Sequence, residues 1–277
     1  MTSSRTKIAV TEFSRLKSRF RVTLRLTNDT CIEIAGHGRT WNYNYSTNPS
    51  RLARSTYSTY WGGEIYNLSK DPLEDCIKWY EKIRGVCGRQ IDNFFTHNPK
   101  PSITDWLRLQ QDSIENVFIQ EGRSDDVKYF LENIRVTGSF ELIMSHFEMN
   151  FQLEIPEDPT HLLIYTSKFI NYDQLIRLKA REINLRQSIL TNRELNGFLK
   201  SWMSCESHLD LEKITINISE EQIIDEIMVD LPHEVGTDGY KIKRSDGKEA
   251  NVKLDRFGSP CLYLKVQENS EILFLDF

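Results

Sequence analysis

The stretch LLIYTSKFINYDQLIRLKAREINLRQSILTNRELNGFLKSWMSCESHLDLEKITINI, residues 162–218, decides the fold because it repeats a pattern of strand and helix. Residues 182–186 and 213–218 alternate apolar and polar side chains, which is typical of strands with one buried face. Between them, Thr191 and Glu194 form a capping-box pattern, and an apolar helical stripe extends to Trp202. Strands that alternate with helices predict β-α crossovers and therefore a parallel sheet.

The same rhythm extends upstream of this stretch. The predicted strands start at Ile91, Ile114, Ile134, Leu162, Ile183 and Ile214. These starts are separated by 23, 20, 28, 21 and 31 residues, and most separations fall within the range of about 20–29 residues of leucine-rich repeats. We therefore predict an α/β fold, a degenerate leucine-rich-repeat-like β-α solenoid. An ordinary open α/β sheet is the alternative.

The flanking regions differ from the repeats and define the predicted domains. Residues 19–70 read as an N-terminal β region that begins with a hairpin and contains a loop at residues 46–60. Residues 71–219 form the repeat region, which opens with the helix start Asp71-Pro72. Residues 220–277 predict a short helix and an antiparallel β cap, because Asp246-Gly247 is a hairpin turn signal.

Composition and charge narrow the function classes. The 277 residues carry a formal net charge of −5 with a pI near 5.8, which argues against a dedicated nucleic-acid binder. No apolar run is long enough for a bilayer span or a signal peptide, so we predict an intracellular protein of the cytoplasm or nucleus. The five cysteines are scattered without a CxxC pair, which predicts reduced thiols. We predict no cofactor and no metal site.

Several short motifs resemble the type 2 F-box-associated domain of nematode F-box proteins. They are Phe169-Ile170, Ile183-x-Leu185, Leu190-Thr191-Asn192, Phe198-Leu199-Lys200-x-Trp202 and the hairpin Arg244-x-Asp246-Gly247-x-x-Ala250. This resemblance implies the substrate-receptor part of a ubiquitin ligase. It also implies that residues 1–18 are the remnant of the end of an F-box, whose preceding part is missing from the chain. Binding to a Skp1-like adaptor and a cullin is expected only if a complete F-box exists in the natural protein.

Candidate binding residues lie on the polar faces of the predicted strands, which line the concave surface of a leucine-rich solenoid. They are Arg135, Thr137, Glu182, Asn184, Arg186, Lys213, Thr215 and Asn217. A surface of this kind can hold a protein partner or a degradation substrate, although an ordinary solvated face would show the same pattern. Trp41, Tyr43 and Tyr45 share one face of a predicted strand and are secondary interface candidates, with core packing as the alternative.

Other function classes have weaker support in the sequence. Because no glycine-rich phosphate loop, GxSxG or HExxH motif is present, we predict a protein that is not an enzyme and has no catalytic residues. A nucleic-acid-binding module would use basic residues beside Trp41, Tyr43 and Tyr45. Those residues are Arg19, Arg21, Arg25, Arg39, Arg51 and Arg54. A protein-binding family member without ligase coupling, acting as a scaffold or inhibitor, is a further alternative.

Overall fold

The fold is divided into two compact units, residues 1–137 and 138–277. The computed structural model describes residues 20–36, 38–58, 62–87, 90–144, 147, 151–218, 224–237, 239–255 and 260–267. The predicted F-box remnant at residues 1–18 and a final strand predicted at residues 272–277 lie outside the described residues.

The first unit has a sheet in the order β7-β6-β1-β2-β3-β5-β4, with helices after β5, β6 and β7. The strands are β1 (Arg21–Leu26), β2 (Thr30–Gly36), β3 (Arg39–Ser46), β4 (Thr56–Ser58), β5 (Gly62–Leu68), β6 (Asn93–Thr96) and β7 (Ser113–Ile119). The helices are α1 (Pro72–Cys87), α2 (Pro101–Gln110) and α3 (Ser124–Asn133). β1, β2 and β3 form the predicted antiparallel start, whereas β6 and β7 are parallel to β1.

The described part of the loop predicted at residues 46–60 contains regular structure. A 3-10 helix spans Pro49–Arg54, and β4 pairs with β5. The helix begins there because the side chain of Asn48 accepts a hydrogen bond from the backbone N–H of Ser50, and Pro49 fits the first helical position. Turn-forming residues therefore cap a short helix in this segment.

The second unit has a sheet in the order β12-β13-β14-β15-β11-β10-β9-β8. Its strands are β8 (Arg135–Leu142, which begins before the division), β9 (His161–Ile164), β10 (Glu182–Leu185), β11 (Lys213–Asn217), β12 (His233–Gly236), β13 (Gly239–Lys243), β14 (Glu249–Asp255) and β15 (Cys261–Val266). The helices are α4 (Tyr172–Arg177), α5 (Asn192–Met203) and α6 (Ile224–Ile227). β8 to β11 are parallel, and β15, β14, β13 and β12 continue from β11 in antiparallel pairing.

These elements confirm the mixed α/β class. The predicted hairpin at Asp246-Gly247 is present, and Gly247 has a φ of +95°, which only glycine adopts without strain. A helix is predicted at residues 220–229, and the structure describes α6 (Ile224–Ile227) within this range. Residues 219–223 lie outside the described part of the chain. The leucine-rich-repeat-like solenoid and the domain limits at residues 70 and 219 stay predictions.

Two capping boxes fix the starts of α4 and α5 in the second unit. The side chains of Asn171 and Thr191 accept hydrogen bonds from the backbone N–H groups of Gln174 and Glu194. The side chains of Gln174 and Glu194 in turn accept a hydrogen bond from the backbone N–H of the cap residue. The apolar stripe of α5 is fully buried, including Phe198 and Trp202. The local sequence therefore fixes where each helix begins, and burial of its stripe holds it on the sheet.

We expect Thr191→Ala to lower the free energy of unfolding by about 1 kcal/mol, because the first turn of α5 loses its side-chain acceptor. The measurement is the urea midpoint of the whole chain. Thr166→Ala, outside any helix cap, is the matched control and should leave the midpoint nearly unchanged. Equal midpoints for the two variants would contradict a capping role.

Candidate functional site

The candidate site is the side of the second-unit sheet that carries polar side chains. Leu185, Ile216 and Leu264 are fully buried on one side of their strands, whereas Asn184, Thr215 and Tyr263 alternate with them and are only half-buried. We call this second side the polar face. It comprises His161 and Leu163 of β9, Glu182 and Asn184 of β10, Lys213 and Thr215 of β11, Tyr263 and Lys265 of β15, and Asn251 and Lys253 of β14.

Strand register brings the predicted residues of β10 and β11 together. Glu182 is directly opposite Lys213, and Asn184 is directly opposite Thr215. Arg186 follows the end of β10 and places its guanidinium 4.8 Å from the ring centroid of Tyr165. The placement of these residues on one surface agrees with the sequence pattern, and their binding role stays a prediction.

Asn217 is held by bonds within the chain. Its side-chain N–H donates to the carbonyl of Pro260 at 3.2 Å, and its side-chain oxygen accepts from the backbone N–H of Gln187 at 3.3 Å. The amide therefore joins the end of β11 to the start of β15 and to the loop after β10. Asn217 therefore has a structural role in holding these segments together, which its position in the sequence did not indicate.

Arg135 and Thr137 lie in the part of β8 that precedes the division between the units. The backbone N–H of Arg135 donates to the carbonyl of Asp112 at 3.0 Å, which anchors this part of β8 within the first unit. The pairing of β8 with β9 begins at Ser139. We therefore keep these two residues separate from the polar face.

Positive charge collects around Tyr263. Its ring centroid lies 5.6 Å from the Nζ atom of Lys213 and 5.5 Å from that of Lys253, so an ammonium approaches the ring from each neighbouring strand. Elsewhere on the face, the Nε2 atom of His161 is 3.6 Å from a carboxylate oxygen of Glu182. The surface is thus basic at β15 and mixed at β10.

Sequence reasoning missed Tyr263, Lys253 and Lys265. The sequence did carry a signal for them, because Cys261, Tyr263 and Lys265 are every second residue of a predicted strand and therefore share one face. The missing information was the partner of β15. This strand pairs with β11 in the register Lys213 to Lys265 and lies between β11 and β14. Only tertiary pairing reveals that the cap strand extends the polar face.

A cavity of about 1120 Å³ lies at one end of the polar face. Its basic side chains are Lys213, Lys248, Lys265 and Arg181, and Tyr263 forms part of its wall. Glu182, Asp210 and Glu212 line the same cavity, and Glu212 pairs with Arg181 at 3.4 Å. The volume exceeds the range of about 300–1,000 Å³ typical of small-ligand pockets.

The aromatic residues predicted as secondary interface candidates face α1. Tyr43 packs on Trp79 with ring centroids 4.0 Å apart, and Tyr45 is buried with 7% of its surface exposed. Burial raises the pKa of Tyr45 above its usual range. Tyr43 and Tyr45 therefore contribute to the packing of the first unit, and Trp41 is half-buried on the same face of β3.

The basic residues of the nucleic-acid alternative are mostly engaged elsewhere. Arg21 pairs with Glu115 at 2.7 Å, Arg51 pairs with Asp29, and Arg25 lies over the ring of Phe95 at 4.0 Å. Arg19 lies outside the described residues, whereas Arg39 and Arg54 are exposed. Three of the five described arginines are thus engaged with other side chains, Arg39 lies on β3 two residues from Trp41, and the nucleic-acid alternative stays a prediction.

Two of the motifs that carried the family resemblance contact each other, the helix motif that ends at Trp202 and the hairpin motif that begins at Arg244. Arg244 is 3% exposed, forms a two-bond pair with Asp246 (2.6 and 2.9 Å), and donates to the carbonyl of Leu209 at 3.0 Å. Its guanidinium lies 5.3 Å from the ring of Trp202. The Arg-x-Asp-Gly hairpin therefore braces the tryptophan helix, and both motifs are structural.

Within the described ranges, no group of three or more His, Cys, Asp or Glu side chains is arranged to hold a metal ion. Across the same part of the chain, no helix is long and apolar enough to cross a membrane. The thiol of Cys31 is buried, and this burial raises its pKa to about 11, so the thiolate needed for nucleophilic chemistry is scarce at neutral pH.

Comparison with models of known protein families finds a match to part of the chain. Residues 150–216 match the family model described as F-box associated. This segment includes β9 and β10, nearly all of β11, and the helices α4 and α5 between these strands. No curated protein and no solved structure matches the chain significantly.

Proposed function

We propose that this chain is a non-enzymatic protein-recognition module that binds its partner through the polar face, on the premise that residues 150–216 match the F-box associated family. The observation that carries the proposal is the alignment of Asn184, Thr215 and Tyr263 in one register row across three strands. Because strands hold these side chains at fixed spacing, the face is pre-organised for a protein surface.

The biological setting follows from the same premise. We propose that the chain is the substrate-receptor part of an F-box protein inside the cell, with a degenerate leucine-rich-repeat-like strand face. Coupling to a ubiquitin ligase requires an F-box that binds a Skp1-like adaptor and thereby a cullin. A family member without that coupling would bind its partner as a scaffold or inhibitor.

The test is affinity capture from the native source, with mass spectrometry of the bound proteins. We expect the double variant Asn184→Trp, Thr215→Trp to lose the partner that the unchanged chain captures, because the indoles obstruct the face whatever the charge of the partner. Leu109→Trp, at an exposed position of α2, is the matched control and should retain it.

Thermal unfolding of each variant shows whether the chain is still folded. A folded double variant that captures the same proteins as the unchanged chain would overturn the proposal. Recovery of a Skp1-like adaptor and a cullin would support ligase coupling, and a partner recovered without them would favour the scaffold or inhibitor.

A further inference from the structure

Two lysines on the polar face lie in an arrangement that folding alone disfavours. Lys213 is directly opposite Lys265 across the antiparallel pair β11-β15. Like charges directly opposite each other on adjacent strands destabilise a sheet, because their Cβ atoms are only about 5 Å apart. Departures from such local rules are expected where function requires them.

The described acidic side chains at this end of the face form no ion pair within 4.0 Å with the lysines, and this includes Glu182, which is directly opposite Lys213 on β10. The carboxylate of Glu182 lies beside His161 at 3.6 Å, and that of Glu212 lies beside Arg181 at 3.4 Å. Asp210 is the third acidic residue of the cavity, which also contains Lys248. Among the described residues, Lys213, Lys253 and Lys265 form no ion pair within 4.0 Å.

Tyr263 gives this charged area an anchor. Its half-buried ring lies between the ammonium groups of Lys213 and Lys253, and Lys265 is two residues away on the same strand. Tyrosine is enriched among the residues that dominate binding energy, and it contributes contact area at a small entropic cost. The combination of one ring and three cations fits an extended segment with several carboxylates.

We propose that the partner presents an acidic protein segment, rich in Asp or Glu, which binds along Tyr263 with its carboxylates on Lys213, Lys253 and Lys265. This inference rests on the proposed function and names the chemistry of its partner. A protein segment is favoured over RNA because the proposed function, which rests on the match of residues 150–216 to the F-box associated family, is protein recognition. The three lysines lie on three different strands, β11, β14 and β15, which favours an extended segment over a single small anion.

The experiment uses the whole chain and a fluorescent peptide in which Glu alternates with Ser. Its counterpart carries Gln in place of Glu. We expect the Glu peptide to bind and the Gln peptide to bind at least about tenfold more weakly, with affinity falling as salt rises. Lys213→Glu and Lys265→Glu should each weaken binding of the Glu peptide at least about tenfold.

Lys128→Glu, an exposed position on α3, is the matched charge control and should bind like the unchanged chain. Lys265→Gln removes charge without reversing it and should weaken binding to a smaller extent, which excludes unfolding as the cause. Equal binding of the two peptides, no binding of the Glu peptide, or full binding by the Lys213 and Lys265 variants would overturn the inference.

Two further probes identify the other possible occupants. Preferential binding of polyuridylate RNA, or of a phosphoserine peptide, over the Glu peptide would also overturn the inference. Failure of the acidic-segment inference can be distinguished from failure of the proposed function. If the Glu peptide fails while Asn184→Trp, Thr215→Trp still abolishes capture of the native partner, the face binds a protein of different chemistry.

Discussion

Trp202→Ala should lower the free energy of unfolding by about 3–5 kcal/mol, because the indole is fully buried and its removal leaves a cavity in the second unit. The loss includes the contact between the ring and the guanidinium of Arg244, which lies 5.3 Å away. Such a change is a large part of the stability of about 5–15 kcal/mol that is typical of a folded protein. Urea unfolding followed by circular dichroism measures it.

The same substitution at a less buried tryptophan provides the control. Trp106 is half-buried on α2, where its indole N–H donates to Glu81, so Trp106→Ala should cost clearly less. Combining Trp202→Ala with Arg244→Ala tests the contact itself. We expect the double variant to be more stable than the sum of the two losses predicts, by about 1–2 kcal/mol. Strict additivity would show that the hairpin and the helix are energetically independent.

Mild acid should destabilise the second unit through His208. This side chain is 4% exposed and packs against Phe198 with ring centroids 5.1 Å apart. Burial lowers the pKa of His208 to about 4, and the positive charge of Lys179 acts in the same direction. In the unfolded chain the pKa of His208 is about 6.5. Between about pH 6.5 and 4 the unfolded state therefore binds more protons than the folded state, and the free energy of unfolding decreases as the pH falls.

We therefore expect the unchanged chain to lose on the order of 3 kcal/mol more than His208→Phe as the pH falls from 7 to 4. The phenyl ring keeps the packing on Phe198 and cannot titrate. Unfolding curves at several pH values measure the difference, and an NMR titration of the His208 ring should place its pKa near 4. Parallel pH dependence for the two chains would contradict the prediction.

Asp246 contributes in a separate pH window. The hydrogen bonds from Arg244 hold the pKa of Asp246 well below its usual range. Because the folded pKa is depressed, this contribution is present above about pH 4 and is lost as the pH falls further. Asp246→Asn should therefore remove pH dependence below about pH 4 and leave the effect of His208 in place.

The sequence predicts those parts of the fold that depend on neighbours in the chain. The capping boxes at Asn171 and Thr191, the helix start at Asp71 and the turn at Gly247 all depend on residues at most a few positions apart. Alternation likewise predicts which face of β10 and β11 is buried, because the period of two is a property of each strand alone.

Features that depend on distant pairing could not be predicted in this way. β12 is exposed throughout and carries no alternating burial, so its pairing with β13 defines it as a strand. The set of site residues predicted from the sequence was incomplete for the same reason. Asn184 and Thr215 could be placed on one face, whereas Tyr263 joined them only through the pairing of β15 with β11, and Asn217 acquired its partner at Pro260.

The like-charged pair Lys213 and Lys265 should make ionic strength act in opposite directions on the free chain and on the proposed complex. Dissolved ions screen charges over about 8 Å at physiological salt, so added salt weakens the repulsion between the two ammonium groups and favours the free fold. The same ions compete with the carboxylates of a bound acidic segment and favour its release. Salt that stabilises the free chain should therefore shorten the lifetime of the proposed complex with an acidic segment.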